Sequence, residues 1–235
     1  MISNENIKIS QEAKVFIKKE KALLINVFAD IEKYPPTEKP FSFFMAGSPG
    51  SGKTEFSQRW IKEMKPASIV RIDADEIRKI IPYYNGKNSD IVQGAASLGV
   101  EKIYDHVLKN NQNALMDGTF ANYTIASENI RRSLKKNRKV GIFYIYQDPV
   151  IAWDFTRKRE QLEGRYVPKE AFADAFFKAK ENIQLAKKEF GNSIELNLVV
   201  KDSKNKDARI EFDIANIDKF IKINYNKKTL NTTLC

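Results

Sequence analysis

A chain that contains Gly47-Ser48-Pro49-Gly50-Ser51-Gly52-Lys53-Thr54 has few folds open to it. A glycine, four further residues and then Gly-Lys-Thr form the pattern of a phosphate-binding loop, and each residue type has a physical reason for its place. Glycines reach backbone torsions closed to other residues, so that successive N–H groups can turn inward around a phosphate. Lys53 brings an ammonium group to the β and γ phosphates, and the Thr54 hydroxyl suits a magnesium ion. The flanks agree. Residues 41–46 (FSFFMA) read as a buried strand entering the loop and residues 53–64 as a helix leaving it, with the positive end of its dipole aimed at the same phosphates. A glycine-rich turn with a chance Lys-Thr would not come with both flanks in order.

The apolar pattern around this unit predicts an α/β fold: a P-loop NTPase-type parallel sheet of about five strands sandwiched by helices, with an N-terminal helical extension. Residues 10–31 carry Phe16, Leu23, Leu24, Val27, Phe28 and Ile31 at helical spacing. The prolines of Tyr34-Pro35-Pro36-Thr37-Glu38-Lys39-Pro40 end that helix. Residues 1–40 are therefore read as extension and linker, 41–223 as the P-loop domain and 224–235 as a polar tail that frays. Within the domain, residues 68–73 read as a second strand with Asp73 and Asp75 at its carboxyl end, and residues 114–116 as a third that delivers Asp117 and Thr119. Helices are expected over 90–110, 122–136, 168–190 and 211–223, and further strands over 140–146 and 194–200. Ligands of open parallel sheets lie outside the carboxyl ends of the strands, which is where these polar residues fall.

At 42% hydrophobic residues the chain can bury a core, and no apolar run approaches the ~18 residues of a membrane span. The start, MISNENIKIS, lacks a basic-then-apolar leader pattern, and a single cysteine, Cys235, excludes an internal disulfide. A cytoplasmic protein is expected. The net charge of +10 raises the question of a polyanionic partner. The lysines are scattered over helix faces instead of gathered in one tract, which argues against nucleic acid, and a nucleotide substrate accounts for part of the excess.

Phosphoryl transfer needs a cradle with a metal, an acceptor held in line, and positive charge on the oxygens that become more negative. For the second requirement Asp75 and Asp73 are candidates to orient the acceptor hydroxyl, with Arg78 to hold an anionic group of the acceptor. One of the two aspartates is equally suited to cap the helix that follows. For the third, the segment 153–168 offers Arg157, Arg159 and Arg165, of which Arg159 and Arg165 are the preferred clamps. Asp148 follows the strand at 140–146 only after Gln147, so Asp117 is the better placed acid. His106, the only histidine, is assigned no catalytic part.

Taken together, GSPGSGKT at 47–54, IDADEIR at 72–78 followed by Pro82-Tyr83, MDGT at 116–119 and the arginine-bearing segment ending GRYVP at 164–168 resemble the zeta-toxin family of P-loop kinases. The likeness covers about residues 41–190. The chain departs from the family pattern in carrying Asp117 where Glu is common and Ile81-Pro82 where a His-Pro pair is common. The resemblance implies a kinase that uses ATP and Mg2+ to phosphorylate the 3'-hydroxyl of UDP-N-acetylglucosamine. It implies Asp75 as catalytic base, Lys53 on the ATP phosphates, Arg159 and Arg165 on the moving phosphoryl group, and Asp117 and Thr119 on the sugar nucleotide. It also implies a small helical antitoxin that blocks the nucleotide site. Two alternatives stand beside it: a kinase for a dinucleotide or nucleic-acid end, and a nucleotide-dependent switch without transfer.

Overall fold

A computed structural model describes residues 3–65, 67–164, 166–204 and 206–234. Two helices, α1 (Asn4–Lys19) and α2 (Lys21–Phe28), precede β1 (Phe41–Ala46), and α3 (Lys53–Glu63) leaves the glycine-rich loop. Then follow β2 (Ile69–Asp73), α4 (Ala74–Lys79), α5 (Gln93–Lys109), β3 (Asn113–Asp117), α6 (Tyr123–Lys135) and β4 (Lys139–Tyr146). The chain ends with α7 (Pro149–Glu163), α8 (Lys169–Phe190), β5 (Glu195–Lys201), β6 (Asp207–Glu211) and α9 (Lys227–Thr233). The six-stranded sheet has the order β2-β3-β1-β4-β5-β6. Every pairing is parallel except that of β6, which runs antiparallel to β5 at the edge.

Alternation along the strands divides the core into two unequal layers. Phe44, Val70, Ile72, Ile142, Tyr144, Leu196 and Leu198 face α5, α6 and α8, with Ala13, Ile17 and Leu24 of the first two helices packed outside α5. Phe43, Met45, Leu115, Phe143 and Ile145 face α3. On that side the P-loop helix is gripped by aromatics: Phe43 stacks on Phe143 at 5.1 Å, and Trp60 meets both at 5.1 and 5.2 Å. Gly141 sits in register with Phe43, and a β-carbon there would stand 2.2 Å from its ring. The glycine thus gives Phe43 the room to hold α3, and with it the loop, against the sheet.

Four expectations are corrected. The N-terminal stripe is two helices broken at Glu20, and its anchors are Ala13, Ile17 and Leu24, while Leu23, Val27 and Ile31 are exposed. The sheet has a sixth strand. Residues 211–223 form no long helix: Glu211 ends β6, the Ile214 amide donates to the Leu196 carbonyl (2.8 Å), and only Ile217–Lys219 makes a single 3-10 turn. The apolar residues 214, 217 and 221 have helical spacing, yet they are buried by a strap laid across the end of the sheet. The polar tail does not fray, because α9 carries a capping box at Asn226 and Thr229 and buries Leu230 and Leu234 beside Trp153 and Phe172. Cys235 lies outside the described residues. No described helix is long and apolar enough to cross a membrane.

Candidate active site

The loop from Gly47 to Gly52 turns back on itself through glycines at φ +140°, +71° and +83° (Gly47, Gly50 and Gly52). A β-carbon at Gly47 would lie 2.5 Å from the Ile145 carbonyl oxygen, and one at Gly50 would lie 2.0 Å from that of Ala152. Both neighbours are backbone oxygens and both glycines hold a positive φ, so a side chain at either position would be strained and would force the backbone to shift. Gly47, Ser48 and Ser51 are buried, and among the described residues the fully enclosed Ser51 Oγ has no hydrogen-bond partner. A buried hydroxyl in that state is costly unless a ligand completes it. Lys53 Nζ donates to the carbonyls of Gly47 (3.0 Å) and Ser48 (2.6 Å), which brings its charge over the loop.

Beside the loop opens a cavity of about 580 Å³, within the range of small-ligand sites. Pro49, Gly50, Gly52, Lys53 and Thr54 form one wall, Asp73, Asp75 and Arg78 a second, and Asp117 and Thr119 the floor. The far wall is α7, where Phe155, Lys158, Arg159 and Leu162 recur at the spacing of one helix face. All these groups converge because parallel strands end together: Asp73 and Asp117 are register partners on β2 and β3, and the Gly47 amide donates to the Thr119 carbonyl (3.2 Å).

Asp73 settles the capping question. Its Oδ1 accepts from the Asp75 amide (2.8 Å) at the start of α4, while Oδ2 accepts from Arg71 Nη2 (2.6 Å). Asp75, released from that duty, faces the cavity and pairs through Oδ1 with Arg78, whose other nitrogen reaches Gln93. Asp117 receives Arg71 Nη2 (2.6 Å) and Nε (3.2 Å), and Ser57 Oγ lies 3.1 Å away, all on Oδ2. Burial raises the Asp73 pKa and the neighbouring Asp117 adds to the rise, with Arg71 opposing both. Burial works against the charge of Arg71, but Asp117 and Asp73 outweigh it and its pKa lies above the ordinary value.

The other candidates separate cleanly. Arg159 lines the cavity, whereas Arg157 turns outward to Glu160 (2.7 Å) and the Trp153 ring; Arg165 lies outside the described residues. Asp148 caps α7 through the amides of Val150 (2.9 Å) and Ile151 (3.3 Å), so it is a structural acid. His106 is away from the cavity, with a pKa lowered by burial and by Lys21. Among the described residues no group of three His, Cys, Asp or Glu could hold a metal by itself. Sequence reading missed Arg71, Gln93 and Lys158. Arg71 was hidden in an apolar strand, although its place two residues before Asp73 on the same strand face was a signal. Lys158 shared the cavity face of α7 with Arg159 at adjacent positions.

A second cavity, of about 620 Å³, lies between α1, α5 and α6 and is lined in part by Lys14, Glu101, Tyr104, Met116, Glu128 and Arg132. Met116 and Asp117 are consecutive on β3 and face opposite sides of the sheet, so the two cavities are separate and share no lining residue.

Compared with known proteins, residues 25–212 match the family described as Zeta toxin. A chain from the structure of the PezAT chromosomal toxin-antitoxin system of Streptococcus pneumoniae superposes with a TM-score of 0.62 at 19% identity, over 85% of this chain and 80% of that one. The AvrRxo1-ORF1:AvrRxo1-ORF2 complex, solved with ATP, gives 0.60 at 12% identity over 96% and 73%. The Pnkp1/Rnl/Hen1 RNA repair complex gives 0.51 at 18% over 64% and 47%. At these identities the superpositions establish a shared fold. A comparison with curated sequences finds no match.

Proposed function

The chain belongs to the zeta-toxin family, and on that premise we propose that it is a kinase that transfers the γ-phosphoryl group of ATP to the 3'-hydroxyl of a UDP-sugar, with UDP-N-acetylglucosamine as the acceptor. The observation that carries the reading is that Lys53, Asp75 and Arg159, distant in sequence, line one cavity.

Each residue has a task there. The amides of the loop and the charge of Lys53 bind the triphosphate. Magnesium needs only one or two protein oxygens beside those of the phosphates, and Thr54 would supply one. When bound, the ion neutralises charge on the β and γ phosphates. Asp75, oriented by its ion pair with Arg78, accepts the proton of the acceptor hydroxyl and aims that hydroxyl. Because the transition state of phosphoryl transfer is loose, aim matters more than early proton removal. Arg159, with Lys158 beside it, stabilises the charge on the phosphoryl oxygens in flight, a task that the family resemblance also gives to Arg165. Asp117 and Thr119 line the same cavity and face the acceptor.

Incubation with γ-labelled ATP and a panel of acceptors tests the reading. Label on UDP-N-acetylglucosamine is the expected result. Label on a 5'-hydroxyl oligonucleotide or a dinucleotide would reassign the acceptor, an outcome that the +10 charge keeps in view. Release of inorganic phosphate alone would leave a nucleotide-dependent switch and end the kinase reading. We also propose a small helical antitoxin as partner, since the chain of the pneumococcal PezAT system shares this fold. Expression of the chain alone should then arrest growth, and expression of Asp75→Asn should not.

A further inference from the structure

We propose that Arg71 is the positioning residue of this site: it ties the strand end bearing Asp73, and the turn bearing Asp117, to the P-loop helix, and so sets where Asp75 stands. The inference rests on the reading that Asp75 faces the acceptor.

Strand alternation puts Ile69, Arg71 and Asp73 on the α3 side of the sheet, in the layer otherwise filled by Phe43, Met45, Leu115 and Ile145. An arginine in an apolar layer is costly unless it is paired and hydrogen-bonded, and an aliphatic residue would fill that space at no such cost. The partners of Arg71 explain its presence. One nitrogen, Nη2, donates to Asp73 Oδ2 and to Asp117 Oδ2, both at 2.6 Å, and Nε donates to Ser57 Oγ at 3.1 Å. Ser57 lies one turn beyond Thr54 on α3 and is within 2.9 Å of the Thr54 carbonyl. Asp73, at the other end, caps α4 through the amide of Asp75 itself. A continuous series of contacts thus runs from the metal-facing turn of α3, through Ser57, Arg71 and Asp73, to the backbone of the proposed base.

Charge gives the same answer. Asp73 and Asp117 are register partners on adjacent strands, so without a cation between them two half-desolvated carboxylates would repel and the strand ends would part. With Arg71 between them the group carries one net negative charge and a fixed spacing. Arg78 cannot substitute, because it is engaged with Asp75 and Gln93. The α4 helix spans only Ala74–Lys79: Ile77 packs its body into the core beside α5, and the Asp73 cap fixes the first turn, where Asp75 stands.

The test compares the full chain with Arg71→Met, Arg71→Lys and, as reference, Asp75→Asn. A displacement of the base by about 1 Å is enough to lower kcat by about 10²-fold, so Arg71→Met should lose roughly 10–100-fold in kcat. Binding of a fluorescent ATP analogue should change by less than about twofold, since the cradle does not depend on Arg71. Amide exchange over residues 73–79 should accelerate by about tenfold while exchange in α8 stays as in the parent. Arg71→Lys, which keeps a cation between the carboxylates, should recover part of both losses. Unchanged kcat per folded molecule, unchanged exchange over 73–79, or a lysine variant no better than methionine would overturn the proposal. If Arg71→Met does not fold, Arg71→Gln replaces it with the same expectations. Full transfer by Asp75→Asn would instead overturn the function proposed for Asp75, and exchange over 73–79 would still report on Arg71.

Discussion

Arg71, half-buried, and Arg138, buried, are arginines at opposite ends of one sheet, and their partners differ in kind. Arg71, near the carboxyl ends of the strands, is held by two carboxylates and a hydroxyl. Arg138, at the amino ends, is 3% exposed and donates to Ser42 Oγ (2.7 Å) and to the carbonyls of Phe41 (2.6 Å) and Gln112 (2.5 Å). Burial lowers the Arg138 pKa, because neutral carbonyls do little to offset it. At Arg71 the two acids reverse that effect. The difference sets the end of the sheet that carries the candidate site apart from the closed end. Carbonyls suffice to close off strand starts, whereas opposed charges are kept where ligands bind, at the carboxyl ends.

The sharpest way to break this contrast is at the working end. Asp75→Asn should lower transfer by about 10²–10⁴-fold with ATP binding intact, and Lys53→Ala should lose both, as measured by labelled transfer and nucleotide titration. Next in size is the closed end. Arg138→Met strands two carbonyls and a hydroxyl, which should cost about 3 kcal/mol and lower Tm by roughly 6–12 °C without changing kcat per folded molecule. A loss of kcat as large as that of Asp75→Asn would erase the distinction between the two ends.

A smaller effect concerns pH. The folded chain binds the Asp73 proton more tightly than the unfolded chain does, since burial and Asp117 raise its pKa. Its contribution to stability is therefore present below the ordinary aspartate pKa and is lost as pH rises through the raised folded value. Asp73→Asn keeps the cap acceptor and removes this titration. Across that window, rising pH should make the variant progressively more stable relative to the parent, as followed by denaturant midpoints. A constant difference would show that Asp73 does not titrate there. The smallest expected effect is at Arg157, whose exposed pair with Glu160 contributes little: Arg157→Ala should alter kcat by less than about twofold, against a large loss for Arg159→Ala.

Much of the site was legible because its signals are local. The loop, its two flanks, the acids at strand ends and Arg159 all announce themselves within a few residues of a strand end or helix start. The misreadings came where a pattern had two solutions. Residues 214, 217 and 221 have the spacing of a helix face, and a strap across the sheet edge buries them just as well. Residues 224–235 look polar as a string, yet Leu230 and Leu234 are enough to dock a capped helix against α8. The choice between Asp73 and Asp75 as cap was open in sequence, since either acid can accept an amide at a helix start, and backbone direction at the end of β2 assigned it to Asp73.

What the sequence determined alone was the glycine-rich loop between β1 and α3 and the α/β class, because positive-φ glycines and alternating apolar runs are each specified by short-range sterics and periodicity. Only the tertiary structure decided which acid caps and which faces the cavity, and which arginine turns inward. Only there does a lone arginine in an apolar strand meet two carboxylates. Those outcomes depend on register between strands and on helices packing from far along the chain, and no single segment contains that information.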